Sequence, residues 1–225
     1  QKKLYTANAL LLKEKLEADD FGGSQKLQIL SDLMRLRQIC CDPALCFEDY
    51  TGESAKLETC VSLIASASAA GHKILLFSQF ASMLERIQER LLQEGISSHL
   101  LVGATPKEER SRMVQAFASD EVPVFLISLK AGGTGLNLTA ADIVIHYDPW
   151  WNVAAQNQAT DRAYRIGQEK PVTVYKLILK DTIEENLLKL QNAKLALAAQ
   201  VVSEGMVSLG DLSQNELMEL FEQNP

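Results

Sequence analysis

Three short apolar runs, at residues 74–77, 124–127 and 143–147, constrain this chain more than any other feature. Each has the length and β-branched content of a strand buried in a sheet. Helical patterns at 54–70, 82–94 and 107–118 alternate with them, and shorter strand patterns stand at 98–102 and 172–178. Strands alternating with helices of roughly 10–15 residues predict a parallel α/β sheet, because parallel neighbours need long crossovers. In such sheets ligands collect at the carboxyl ends of the strands. Ser78 and Gln79, the turn Gly103-Ala104-Thr105, Lys130 and Gly132, and Asp148 all fall at those ends. Amphipathic helices are predicted ahead of the sheet at 2–18 and 27–40, and a Leu- and Ala-rich helix behind it at 182–202.

Two patterns near the strand ends point to a ligand. The first is a glycine-rich turn, Gly132, Gly133 and Gly135. Glycines there let the backbone approach a bound group closely, or simply let the chain turn through positive φ. The second follows the run at 143–147 and reads as a helix carrying Gln158, Arg162 and Arg165. At about 100° per residue these three side chains fall within roughly 60° of one another. Adjacent guanidiniums repel unless an anion lies opposite, and their planar forks match phosphate or carboxylate oxygens. A solvated face, with Asp161 pairing Arg165 one turn on, fits the same spacing.

Joined together, these segments form a longer string. It runs Ser128-x-Lys-Ala-Gly-Gly-Thr-Gly-x-Asn137, then Asp148-Pro-Trp-Trp-Asn152, then Gln158-x-x-x-Arg-x-x-Arg-Ile-Gly-Gln168. The string resembles the C-terminal motor lobe of Swi/Snf-type ATPases, helicase-like translocases of superfamily two. Residues 128–137 are similar to that family's fifth motif and 158–168 to its sixth. Lys73-Ile-Leu-Leu-Phe-Ser-Gln-Phe80 resembles the fourth motif. The likeness continues through Gly103-Ala-Thr-Pro-x-Glu-Glu-Arg110, residues 172–177 and Thr182-Ile-Glu-Glu185, covering about 35–190.

The resemblance implies a RecA-like three-layer parallel sheet flanked by helices. Linker or protrusion helices are expected at 1–53, the lobe at 54–180, and a brace helix with an acidic tail at 181–225. It further implies the second motor lobe of an ATP-dependent double-stranded-DNA translocase. Arg162 and Arg165 would be arginine fingers toward ATP with Mg²⁺, bound mainly by an N-terminal RecA-like lobe of the same protein. Gln158, Gly133 and Gly135 would face that nucleotide. Ser78, Gln79, Thr105 and Lys130 match positions that contact the DNA backbone, contacts that carry no sequence information and so suit a translocase. Other DNA-bound proteins or the transcription machinery are further partners it allows. The expected location is the bacterial cytoplasm and nucleoid, or the nucleus in a eukaryote.

The sequence contains no Gly-x-x-x-x-Gly-Lys-Ser/Thr loop and no Asp-Glu-x-His box. Phosphoryl transfer needs such a lysine loop and metal-binding carboxylates, so the chain is expected not to hydrolyse ATP alone. The missing initiator methionine marks it, on this reading, as a fragment of a longer chain. The alternative function is a non-catalytic protein-interaction module derived from such a lobe. A Rossmann-type enzyme is disfavoured, because Gly133-Thr-Gly-Leu-Asn137 is not Gly-x-Gly-x-x-Gly and no long helix follows it.

Charge bears on the DNA reading. The net charge of −7 is concentrated in residues 203–225, which hold five acids and no Lys or Arg. Residues 55–180 carry 13 basic and 12 acidic residues, so a DNA site here must be a local cluster and the lobe alone should bind DNA poorly. Cys40, Cys41, Cys46 and Cys60 lack zinc-ligand spacing, and His72, His99 and His146 are scattered, so no metal site is expected. Trp150 and Trp151 can stack on bases or pack the following helix on the sheet, and packing is the favoured reading. Val102, Thr134, Val153 and Ala155 depart from the family's usual residues; Val102 puts a polar contact from its strand end in doubt.

Overall fold

A strand that is apolar along its whole length has to be covered on both faces. Three strands meet that condition in the computed structural model, which describes residues 1–17, 23–129, 131, 138–164, 170–198, 217–218 and 220–221. They are β1 (Ile74–Ser78), β3 (Val124–Ser128) and β4 (Ile143–His146), and each of their residues is buried. β2 (Ser98–Leu101) and β5 (Thr173–Lys176) are the more exposed edges. All pairings are parallel, in the order β2-β3-β1-β4-β5. Leu75 stands opposite Phe125 on one side and Val144 on the other, which fixes the register at the centre. The parallel α/β sheet expected from the apolar runs is therefore present.

The helices begin and end where local chemistry requires. Two carry the chain into strands through glycine: α3 (Ala55–Ala69) and α4 (Ala81–Gln93). Gly71 and Gly95 follow them with φ of 81° and 73°, left-handed values that cost a side chain strain. Around each, paired bonds close the helix end: His72 N–H to Ala67 and Gly71 N–H to Ser68, then Ile96 N–H to Leu91 and Gly95 N–H to Leu92. Met83, Leu84, Ile87 and Leu91 form the buried stripe of α4. α5 (Lys107–Ser119) contributes Phe117, whose ring lies 5.2 Å from that of Phe125. Phe117 and Phe125 join Phe77, Leu101, Ile127 and Val144 in one core.

The chain divides into two compact units. One comprises Leu57–Trp150 and Ala154–Leu177 and holds the sheet; the other comprises Gln1–Lys56, Trp151–Val153 and Ile178–Pro225. In the second, α1 (Lys2–Glu17) and α2 (Gly23–Cys41) share a core with the helix Ile183–Ala198. Leu12, Leu16, Leu33 and Leu36 meet Ile183 and Leu187 there. The Tyr5 hydroxyl accepts the Ile183 N–H at 2.7 Å. α2 stops at Cys41, ahead of a 3₁₀ turn at Pro43–Leu45. Among the described residues no helix is long and apolar enough to cross a membrane.

This helical unit also contains a dry ion pair. Lys56 and Glu184 are 5% and 1% exposed, and the ammonium bonds both carboxylate oxygens, Oε1 at 2.6 Å. Oε2 also accepts the Leu179 N–H at 2.9 Å. Burial, the largest single influence, lowers the Lys56 pKa, but the charge and hydrogen bond of Glu184, with Cys41 and Cys40 adding, together hold Lys56 above the ordinary lysine range. Removing one partner of a buried pair leaves an uncompensated charge. Lys56→Met should therefore destabilise the chain by about 3–5 kcal/mol in urea unfolding, and Lys56→Met with Glu184→Gln should recover most of that. A single variant within about 1 kcal/mol of the parent would contradict this.

Candidate functional site at the strand ends

The strand order places a crevice at one predictable spot. From β1 the chain runs outward past β3 to reach β2, whereas from β3 it crosses to the opposite side of β1 to form β4. The connections thus diverge at β1 and β4, and ligands of open α/β sheets bind beyond the carboxyl ends of such a divergence. Asp148 lies there, 1% exposed. Ser78 donates its hydroxyl proton to Oδ1 at 2.5 Å, the Gln79 backbone N–H reaches Oδ1 at 3.3 Å, and the Gln79 side-chain amide donates to Oδ2 at 2.6 Å. Phe80 N–H closes on Ser78 Oγ at 3.1 Å. A buried carboxylate needs such donors.

A second polar chain fixes the helix that follows. His146 lies at the end of β4, stacked on Phe77 with ring centroids 5.7 Å apart. Its Nε2 meets Thr160 Oγ1 at 2.9 Å, and that hydroxyl lies 3.3 Å from the Gln156 carbonyl, to which it donates. Nε2 must then carry the hydrogen it shares with Thr160. Gln156, 2% exposed, accepts the Trp150 N–H at 3.1 Å. The helix α6 (Val153–Thr160) is thereby tied to β4 at its last residue and to the Trp150 backbone through Gln156. Burial drives the His146 pKa down to about 4, with Lys176 adding to the effect, so the ring is neutral at physiological pH.

Helix α6 is shorter than the sequence pattern suggests. The Asp161 N–H still reaches back four residues, but those of Arg162 and Ala163 reach back only three, which tightens the chain into a turn. The Arg162 carbonyl meanwhile accepts the Leu138 N–H at 3.2 Å, a tertiary bond that competes with further helix. The helix therefore ends at Thr160, before Arg162, while Arg165, the third residue of the anticipated face, lies outside the described residues. Arg162 is 2% exposed and, with Gln158, Phe77, Leu129, Trp150 and Ala159, lines a recess of about 40 Å³. A space of that size holds about one or two waters.

The other anticipated residues separate into groups. Ser78 and Gln79 are brought together, through Asp148. Gln158 is exposed beside the recess. Thr105 is half-buried, and its hydroxyl accepts the Val102 N–H at 3.1 Å instead of capping α5, whose cap position is Pro106. Trp150 packs against the main core. Lys130, Gly133, Gly135 and Arg165 lie outside the described residues. Sequence reasoning missed the roles of Asp148, His146, Thr160 and Gln156. Only Asp148 carried a signal, its place at a strand end.

Comparison with known proteins decides what this crevice belongs to. The sequence profile of the helicase conserved C-terminal domain matches residues 55–167. The Swi2/Snf2 ATPase C-terminal domain of Sulfolobus solfataricus superposes with a TM-score of 0.77 at 32% identity, covering 97% of this chain and 91% of that one. This chain is a C-terminal helicase lobe of the Swi2/Snf2 family. Its five parallel strands flanked by helices are the RecA-like arrangement of that domain. YwqA of Bacillus subtilis, a candidate ATP-dependent helicase/translocase, is 43% identical over 96% of the lobe and 25% of its own length. The Sulfolobus solfataricus Swi2/Snf2 ATPase core in complex with double-stranded DNA matches 99% of the lobe and 47% of that chain, with a TM-score of 0.80 and 33% identity. The lobe thus spans a quarter of YwqA and just under half of that core.

The neutral His146 gives the Swi2/Snf2 lobe a pH signature. A histidine whose folded pKa is depressed below its unfolded value near 6.5 has its contribution fully present above that value. The contribution is lost as pH falls from about 6.5 toward 4. Over that window the loss should be on the order of 3 kcal/mol. The acid-side slope of stability should be shallower in His146→Phe than in the parent; identical slopes would contradict this assignment.

Proposed function

We propose that this chain is the second motor lobe of an ATP-dependent double-stranded-DNA translocase, working opposite an N-terminal RecA-like lobe of the same protein. The observation that carries the reading is the recess at the strand-end crevice, which Arg162 and Gln158 both line. A cation fixed at such a point matches the anionic phosphates of a nucleotide. The printed names of YwqA and of the Sulfolobus core support ATP and duplex DNA as ligands.

The burial of Arg162 supports different work for the two arginines. In this reading Arg165 is the arginine finger that meets the transferring phosphoryl group, while Arg162 holds the turn and adds to the local positive field. Gln158, Gly133 and Gly135 face the nucleotide. When bound, Mg²⁺ supplies charge neutralisation at the phosphates, and its ligands come from the other lobe. Gln79, Thr105 and Lys130 contact the DNA backbone, and Ser78 acts through Asp148 by fixing Gln79. With no lysine loop of its own, the lobe does not turn over ATP alone.

An arginine finger is worth roughly 10³–10⁵ in rate. Arg165→Ala in the full-length protein should therefore lower DNA-stimulated ATP turnover by about a thousandfold or more, with thermal unfolding unchanged. Turnover within a few-fold of the parent would contradict the role.

A further inference from the structure

Arg110 is the one residue of the segment Gly103-Ala-Thr-Pro-x-Glu-Glu-Arg110 whose side chain reaches two strand ends at once. It sits in the first turn of α5 and is half-buried. Its Nε donates to the Thr105 carbonyl at 2.8 Å, and one terminal nitrogen to the Gly103 carbonyl at 2.9 Å, with Val102 at the outer limit of 3.5 Å. The other terminal nitrogen donates to the Ala131 carbonyl at 3.3 Å. The first three acceptors belong to the turn after β2, and the fourth to the segment after β3. These strands are neighbours, paired as far as Leu101 and Ile127.

Two properties of this arrangement go beyond ordinary loop packing. Bonds leave three separate nitrogens of the guanidinium toward two segments, a span that the rigid planar fork fixes, whereas an ammonium would have to make them all from one atom on a flexible stem. In addition, Arg110 forms no ion pair among the described residues, so no carboxylate there cancels its charge at the strand ends. Ala131 is itself held, its N–H donating to Ser128 Oγ at 3.3 Å. The guanidinium therefore ties one anchored point to the turn that carries Thr105.

We propose that Arg110 is a positioning residue for duplex binding. It locks the Thr105 turn to the chain after β3 at Ala131, so that Thr105, as a backbone-contacting position, is held at a fixed place on the sheet. The proposal rests on the reading of Thr105 as a DNA contact, and the experiment separates the two.

The test uses the full-length protein and measures the concentration of random-sequence duplex DNA that half-maximally stimulates ATP turnover. Arg110→Lys keeps the charge and loses the fork, and should raise that concentration about five- to tenfold, with a smaller change in turnover at saturating duplex. Thr105→Val should act similarly, and the double variant should be no more than about twofold worse than the weaker single, because both changes break one contact. Phe117→Leu, a core change on the same helix, should lower the unfolding midpoint without moving the duplex requirement. The proposal is overturned if Arg110→Lys leaves the requirement unchanged while Thr105→Val raises it, if the two effects multiply, or if Phe117→Leu shifts it equally. A Thr105→Val variant with the parent's duplex requirement overturns the DNA reading itself, and the proposal with it.

Discussion

Asp148 is the constraint on which the crevice depends. Its carboxylate is almost wholly removed from water, a state that is costly unless hydrogen-bond donors converge on it. The donors come from the residues that leave β1, and the acceptor from those that leave β4. The backbone continues the same connection, with Tyr147 N–H on the Phe77 carbonyl and Leu129 N–H on that of Ser78, both at 2.9 Å. The ends of β3, β1 and β4 are therefore joined past the last formal strand residues. This rigidity makes the position of Gln79 a property of the sheet rather than of a free loop.

A neutral polar chain serves the same purpose one layer out. His146, Thr160 and Gln156 are linked in sequence to the Trp150 backbone, and α6 is held over the sheet without a charged pair. Protonating His146 would place a charge in that buried chain, which burial opposes. The helical unit takes the opposite approach, with Lys56 and Glu184 buried as ions and each dependent on the other.

Much of the sheet was legible because its signal is local. Runs such as Ile74 to Phe77 are apolar at every residue, which only a strand covered on both faces tolerates, and the spacing of the helices between them permits only parallel neighbours. Within the site, legibility was uneven. Ser78, Gln79 and Asp148 could be placed at strand ends, but their mutual bonding depends on β1 and β4 being adjacent, which nothing in the linear spacing states. The end of α6 was missed because a distant N–H, that of Leu138, takes up the Arg162 carbonyl. His146 looked like an isolated histidine for the same reason: its partner Thr160 belongs to the next helix. Propensity and period describe a segment, and these features arise between segments.

On the function proposed above, the crevice beyond β1 and β4 faces nucleotide phosphates on one side and the duplex backbone on the other. The most direct measurement is a structure of the full-length protein bound to duplex DNA and ADP with aluminium fluoride. In that complex the Arg165 guanidinium should lie within hydrogen-bonding reach of the fluoride group, with Gln79 and Thr105 on phosphodiester oxygens. Arg165 turned into its own lobe, with the duplex lying away from these strand ends, would contradict it.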